Sequence, residues 1–264
     1  MQTYDVKIFG ERNSATNALK IILESNSKSR VFPGTSRELE GRMDRYWQKL
    51  RSSGQKVLGA TTSSGAGKGE EDVDKLFDGQ PPTRSWKHTA TYFESVEDFR
   101  GSLVIFCVRN PLSWTYSLFK NPHNAKSPVP SRFRDFLDMD WPLLGRDNLP
   151  FQALKPHQLC EEKVKSYSRM IEQLEAAKIA FKVVKFEDIV TGQEDVFASL
   201  AKHLKAPGKV FSPLHKSTKD KSKTASYYEA YYGDELWRNE IGAEVEVLSE
   251  RLDSDLFSSF GYKL

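Results

Sequence analysis

Two clusters of residues in this 264-residue chain have the chemistry to hold an anion. The first is Gly10-Glu11-Arg12-Asn13-Ser14-Ala15-Thr16-Asn17, which joins the segment YDVKIF to an amphipathic run over 16–25. A strand that enters a helix through small polar residues leaves backbone N–H groups pointing outward at the helix start, where the dipole also favours negative charge. Ser14 and Thr16 add hydroxyl donors and Arg12 a positive fork, so the guest that suits this loop is a phosphate or sulfate. An ordinary capped helix after a strand fits the same residues. The second cluster is Arg109, at the end of the apolar run Leu103 to Val108, with Ser117 eight residues later. Eight residues are about two helical turns, so both side chains can reach one phosphate, although an arginine at a strand end also serves as a surface or ion-pair residue. A third stretch, SSGAGKGEED, imitates a Walker loop, but Thr62 stands five before Gly67 and Gly69 takes the Ser/Thr position. It reads as a flexible loop.

The elements that must carry these clusters follow from periodicity. YDVKIF alternates as a strand, and Ala18, Leu19, Ile22 and Leu23 fall on one helical face. The unbroken apolar run Leu103–Val108 predicts a strand covered on both faces, as in a parallel sheet, with a helix over 112–120 after Pro111. Helical spacing returns at 158–178, IAFKVVKFEDIV reads as the next strand, EDVFASLAKHLK as another helix, and Ile241, Val245, Leu248 and Leu252 mark a last one. A helical piece is expected near 36–51, with irregular insertions at about 52–84 and 121–157, the latter holding six prolines. Strands alternating with helices predict one α/β domain over 1–264: a three-layer α/β/α arrangement, a central and mainly parallel sheet, and a P-loop-like strand-loop-helix. Ligands in such sheets sit at the carboxyl ends of the strands.

Composition limits the function. Thirty-nine basic against 36 acidic residues give a net charge of +3, too small for a general nucleic-acid or membrane binder. No stretch is long and apolar enough to span a membrane and the first residues lack a signal-peptide pattern, so the chain is expected to be soluble and cytoplasmic. Cys107 and Cys160 read as packing residues. His123, His157, His203 and His215 have no metal-binding spacing and read as surface or loop residues.

Taken in order, these motifs resemble those of the sulfotransferases that use 3′-phosphoadenosine 5′-phosphosulfate (PAPS), in the style of the carbohydrate-modifying branch. That family's first loop runs approximately Gly-x-x-Lys/Arg-x-Gly-Thr and holds the 5′-phosphosulfate; here it is Gly10 to Asn17. Its second motif, an Arg at a strand end, Asp/Asn-Pro, and a Ser eight residues after the Arg, holds the 3′-phosphate; here it is Arg109, Asn110, Pro111 and Ser117. KHTATYF is similar to the segment that carries the base, and KFEDIV and FGY fall where the family has similar strings. The likeness covers 5–25, 86–119 and 179–204, and the tail weakly. Asn13 stands where the family has Lys or Arg, with Arg12 one step earlier, and Ala15 replaces a Gly, which requires an ordinary φ at that position.

The resemblance implies a sulfotransferase that moves a sulfuryl group from PAPS to a hydroxyl or amine of a carbohydrate or small-metabolite acceptor, in line, with a general base and no required metal. The donor would be held by Arg12, Asn13, Ser14, Ala15, Thr16, Asn17, Arg109 and Ser117. His88 is the expected base, and Lys87 is expected to neutralise the leaving phosphate. In the carbohydrate branch a Glu-Lys pair occupies these two positions. The family's basic loop corresponds to 215–226, where Lys216 and Lys219 would close over the 3′-phosphate; a solvated loop fits the same composition. Arg132, Arg134, Trp141 and Arg146 are candidates for the acceptor side, and equally for loop packing. Two alternatives remain open: a non-catalytic nucleotide or anion binder of the same fold, and a nucleotide-dependent phosphotransferase. Oligomeric state is open.

Overall fold

The computed structural model describes residues 2–32, 73–122, 128–215 and 223–264. The helix expected near 36–51, the Gly-Lys stretch at 61–72, His123, Lys216 and Lys219 lie outside them.

Three parallel strands form the centre: β1 (Asp5–Gly10), β2 (Ser102–Val108) and β5 (Phe181–Lys185), in the order β1-β2-β5. β2 lies between the other two, pairing Gly10 with Cys107 on one side and Val108 with Lys185 on the other. Every residue of β2 is buried, which is why it reads as an unbroken apolar run. Its period of two divides the core. Val104, Phe106 and Val108 enter one apolar cluster with Phe9, Leu112, Trp114 and Tyr167. Leu103, Ile105 and Cys107 enter another with Ile8, Leu19, Leu23 and Phe197. Each large side chain removed from water in this way stabilises the fold by about 1.5–3 kcal/mol.

Helices connect the strands. α1 (Thr16–Asn26) follows β1 and buries Leu19, Ile22 and Leu23. α2 (Pro111–Lys120) follows β2, and its start is set by chemistry: the Asn110 carboxamide accepts from Leu112 N and Ser113 N, and Pro111 fills the first helical position, where no N–H is needed. α4 (Pro156–Ala176) leads into β5, and α5 (Phe186–Thr191) and α6 (Gln193–Ala201) come after it. α7 (Ala225–Gly233) packs on α5. α8 (Trp237–Ile241), α9 (Glu244–Arg251) and α10 (Ser254–Ser258) complete the described residues. The architecture is α/β with a small parallel sheet, and among the described residues no helix is long and apolar enough to cross a membrane.

Four expectations are corrected. The described part of the excursion, 128–157, is more ordered than its prolines imply. It contains α3 (Phe133–Asp138) and an antiparallel pair, β3 (Trp141–Pro142) with β4 (Ala153–Leu154), anchored by Trp141, Phe136 and Leu137 in the core. FEDIV is helical, because the chain leaves the sheet at Lys185. The last predicted helix is broken at Gly242, whose φ of 67° and ψ of −136° form a backbone conformation open to glycine and closed to residues with a Cβ. His157 is only 8% exposed, on the inner side of α4, and burial depresses its pKa; it is not a surface residue. Cys107 and Cys160 are both free and buried, and burial pushes the Cys107 thiol up to about 12.

Candidate functional site

The loop after β1 takes a conformation that its residue types do not favour. Asn13 has φ 66° and Ala15 φ 60°, ψ 18°, both left-handed. The expectation of an ordinary φ at Ala15 is therefore wrong. The Cβ–carbonyl crowding that disfavours this region costs roughly 1–2 kcal/mol, which surrounding packing must offset. Left-handed residues alternating with right-handed ones are the backbone from which anion-binding nests are built, and Ser14, between Asn13 and Ala15, has no positive φ. Ala15 is also the N-cap of α1, and no side chain caps that helix, so its first-turn N–H groups have no side-chain cap acceptor. An ordinary capped helix is not what this loop forms. Gly10 is required on space: a Cβ there would lie 2.7 Å from both the Cβ and the carbonyl oxygen of Cys107.

Arg109 leaves the end of β2 and touches the same loop. Its Nη1 donates to Asn13 O at 2.6 Å, Nε to Ser113 Oγ at 2.9 Å, and Nη2 to Ser113 O and to Tyr232 Oη, both at 3.1 Å. The guanidinium also lies 4.1 Å from the centre of the Phe186 ring and 4.9 Å from that of Tyr232. These four bonds use four of the five N–H groups an arginine has, so a bound oxyanion can take the remaining Nη1 N–H or exchange for Asn13 O or the Tyr232 hydroxyl.

Asn13, Ala15, Arg109 and Ser117 line one cavity of about 370 Å³, with Tyr228 and Tyr232 of α7 on its wall. The size falls within the range of small-molecule sites. α7 contributes a ladder of rings, Tyr227 on Tyr231 and Tyr228 on Tyr232, stacked at interplanar angles of 11° and 7°. Polar donors from the loop and Arg109, set beside aromatic faces, suit a planar ring system that carries anionic groups. α7 was not foreseen, although the repeated Tyr-Tyr pairs at a spacing of four in SYYEAYY were a visible signal.

The structure places Arg12 and Ser14 differently from the sequence reading. Arg12 is 4% exposed, does not line the cavity, and enters a buried ionic cluster: its Nη2 is 3.6 Å from Asp147 Oδ1 and its Nη1 4.0 Å from Glu11 Oε2. Lys163 of α4 sits beside it, 3.1 Å from Asp147 Oδ1 and 3.5 Å from Glu11 Oε1. Arg12 and Arg146 both lie over the Trp86 ring, at 4.6 and 4.8 Å. Burial alone would raise the Asp147 carboxyl, but Lys163 and Arg12 outweigh it and hold it below its usual value. For Glu11 burial prevails over the same cations and its pKa is raised. The Ser14 hydroxyl is spent within the loop, donating to Glu11 O at 2.5 Å. Of the acceptor-side candidates, Arg146 pairs with Asp74 at 2.6 Å, Trp141 is 1% exposed, Arg132 pairs with Asp135 at 2.7 Å and Arg134 is exposed; none lines the cavity.

Lys87 and His88 reach the loop from another segment. The Lys87 ammonium donates to the Asn17 carboxamide in the first turn of α1, and Lys87 O accepts from Gly10 N at 3.0 Å. His88 Nδ1 lies 2.5 Å from Gly10 O, an acceptor, so Nδ1 carries the proton and Nε2 the lone pair. Burial, then the nearby Lys87 and Arg12 charges, lower the imidazole pKa well below 6.5, which keeps the ring neutral at physiological pH. Lys163 Nζ donates to His88 O, so the buried cluster also fixes the segment that carries this histidine. Neither Lys87 nor His88 lines the cavity; Nε2 is the ring atom at which a proton could add, under the field of the Lys87 charge. In comparisons with known proteins, no protein-family model and no curated protein matches the chain.

Proposed function

We propose that the protein is a sulfotransferase of the PAPS-dependent kind, with a three-layer, P-loop-like fold. The observation that carries the reading is the hydrogen bond from Arg109 Nη1 to Asn13 O, which joins the two anion-binding features, 96 residues apart, in one cavity wall. Arg109 and Ser117 would take the nucleotide's 3′-phosphate, and the nest at Asn13–Ala15 with the first turn of α1 its 5′ end. The tyrosine faces of α7 suit the base. PAPS, once bound, supplies a sulfuryl group on a good leaving group.

The residues of the chain do the rest. Asn17 lies in the first turn of α1, in contact with Lys87. His88 Nε2 would take the proton of an acceptor hydroxyl as its oxygen bonds to sulfur and the bond from sulfur to the bridging oxygen breaks. Lys87 would neutralise the charge that develops on that oxygen. Glu11 and Arg12 act on the loop from behind, through the buried cluster, which replaces the direct phosphate contact expected of Arg12.

Calorimetry with adenosine 3′,5′-bisphosphate tests the nucleotide site, and transfer of labelled sulfate to a panel of hydroxylated acceptors tests the chemistry. His88→Ala should lower kcat by about 10²–10⁴-fold while leaving bisphosphate affinity unchanged. Because the histidine pKa is depressed, the acidic limb of kcat/KM in the wild type should lie below pH 6.5. Near wild-type turnover in the His88→Ala protein refutes the assignment of the base.

A further inference from the structure

Phe260-Gly261-Tyr262 is far in sequence from the cavity, yet it is tied to the turn that carries Arg109. We infer that Tyr262 is a positioning residue for Arg109: through Glu187 and Asn110, its hydroxyl fixes the turn from which the guanidinium reaches the cavity. The inference rests on the reading of Arg109 as the holder of a 3′-phosphate and adds to it a group that makes no contact with the ligand.

The Tyr262 hydroxyl donates to Glu187 Oε2 at 2.8 Å, and the other oxygen of the same carboxylate accepts from Asn110 N at 3.0 Å. Asn110 in turn caps α2 through Leu112 N and Ser113 N, and Ser113 accepts twice from Arg109. Phe186, adjacent to Glu187, is the ring on which the guanidinium rests. Glu187 therefore anchors both the turn and the segment beneath the arginine, and Tyr262 holds Glu187.

The tail is itself seated for this role. Tyr262 is 7% exposed and Phe260 9%. Lys185 Nζ donates to Gly261 O at 2.8 Å and lies 4.8 Å from the centre of the Tyr262 ring. Gly261 has φ 74°, a left-handed backbone that favours glycine. Burial first, and then the Glu187 charge, raise the Tyr262 pKa, so the hydroxyl remains a donor at any working pH. Without that donor the partly buried carboxylate loses one of two fixed partners and is free to turn from Asn110 N.

The test is calorimetry on the full chain with adenosine 3′,5′-bisphosphate and, separately, with adenosine 5′-monophosphate. Tyr262→Phe removes only the hydroxyl. It should weaken bisphosphate binding about five- to tenfold and leave monophosphate binding within about twofold, since the monophosphate uses the loop alone. Glu187→Gln, which retains one carbonyl acceptor for two donors, should show the same selectivity and carries the test if Tyr262→Phe folds poorly. Equal weakening for both nucleotides, or no weakening for either, overturns the positioning role. If the wild-type protein binds the two nucleotides equally, the 3′-phosphate assignment fails first and the role of Tyr262 falls with it.

Discussion

Replacing Asp147 with Asn keeps the shape of the side chain and removes one negative charge from a site that is 1% exposed. Lys163 and Arg12 lie 3.1 and 3.6 Å from its Oδ1, and Leu144 N donates to its Oδ2 at 2.9 Å. With an effective dielectric of about 20, each cation attracts the carboxylate by about 5 kcal/mol before desolvation is set against it. Loss of one partner of a buried ionic cluster leaves the others uncompensated, and the net cost is about 3–5 kcal/mol. For a chain of this size that corresponds to a fall in melting temperature of roughly 10 °C. Because the carboxyl is held below its ordinary pKa of 3.8, its contribution is present above that pH and is lost as pH falls through the folded-state value. Urea unfolding followed by circular dichroism and tryptophan fluorescence measures the loss at pH 7. Combining Asp147→Asn with Arg12→Met should give a coupling energy above about 1 kcal/mol. A cost for Asp147→Asn below about 1 kcal/mol refutes the argument. So does an Arg12→Met protein of unchanged stability that no longer binds nucleotide, since Arg12 would then act on the ligand and not on Asp147.

Lys7 offers a pH test: it is 0% exposed on β1, donates to Ser85 O at 2.6 Å, and burial together with Lys87 lowers its pKa to about 7. Between pH 7 and its unfolded value of 10.5 the unfolded chain binds more protons, so stability rises with pH. The wild type should gain about 2 kcal/mol from pH 7 to pH 9 relative to Lys7→Met, by urea unfolding at both pH values; parallel curves for the two proteins would contradict it. Ala15→Gly should relieve the left-handed strain and, after the larger entropy of glycine in the unfolded chain, raise stability by about 0.5–1 kcal/mol. A lower melting temperature for that variant would mean the loop adopts another conformation.

Local pattern and tertiary structure contributed differently to what can be seen here. The run Leu103–Val108, the helical face of Leu19, Ile22 and Leu23, and the Asn-Pro after Arg109 all encode structure within a few residues, and each forms the element expected. The excursion misled because its prolines and loop residues are a local signal, whereas the order of its described part, 128–157, comes from Trp141, Phe136 and Leu137 packing into the common core. The break at Gly242 was readable in principle, since an isolated glycine in a helical pattern weakens it and alone adopts such a backbone.

The candidate site divides along the same line. Residue types and spacing alone determined that a strand-loop-helix rich in N–H groups, an Arg/Ser pair and a Lys-His pair were present, because hydrogen-bonding capacity and charge belong to the side chain wherever it lies. Where each charge points was decided only by the assembled molecule. Arg12 and Arg109 look interchangeable as sequence, yet one is drawn into a dry cluster by Asp147, whose partner Lys163 comes from a distant helix, while the other lines the cavity against Asn13, Phe186 and Tyr232. Buried charges must be compensated where they sit, and although Glu11 is adjacent to Arg12, the nearer carboxylate, Asp147, lies more than a hundred positions away, beyond the reach of any local pattern.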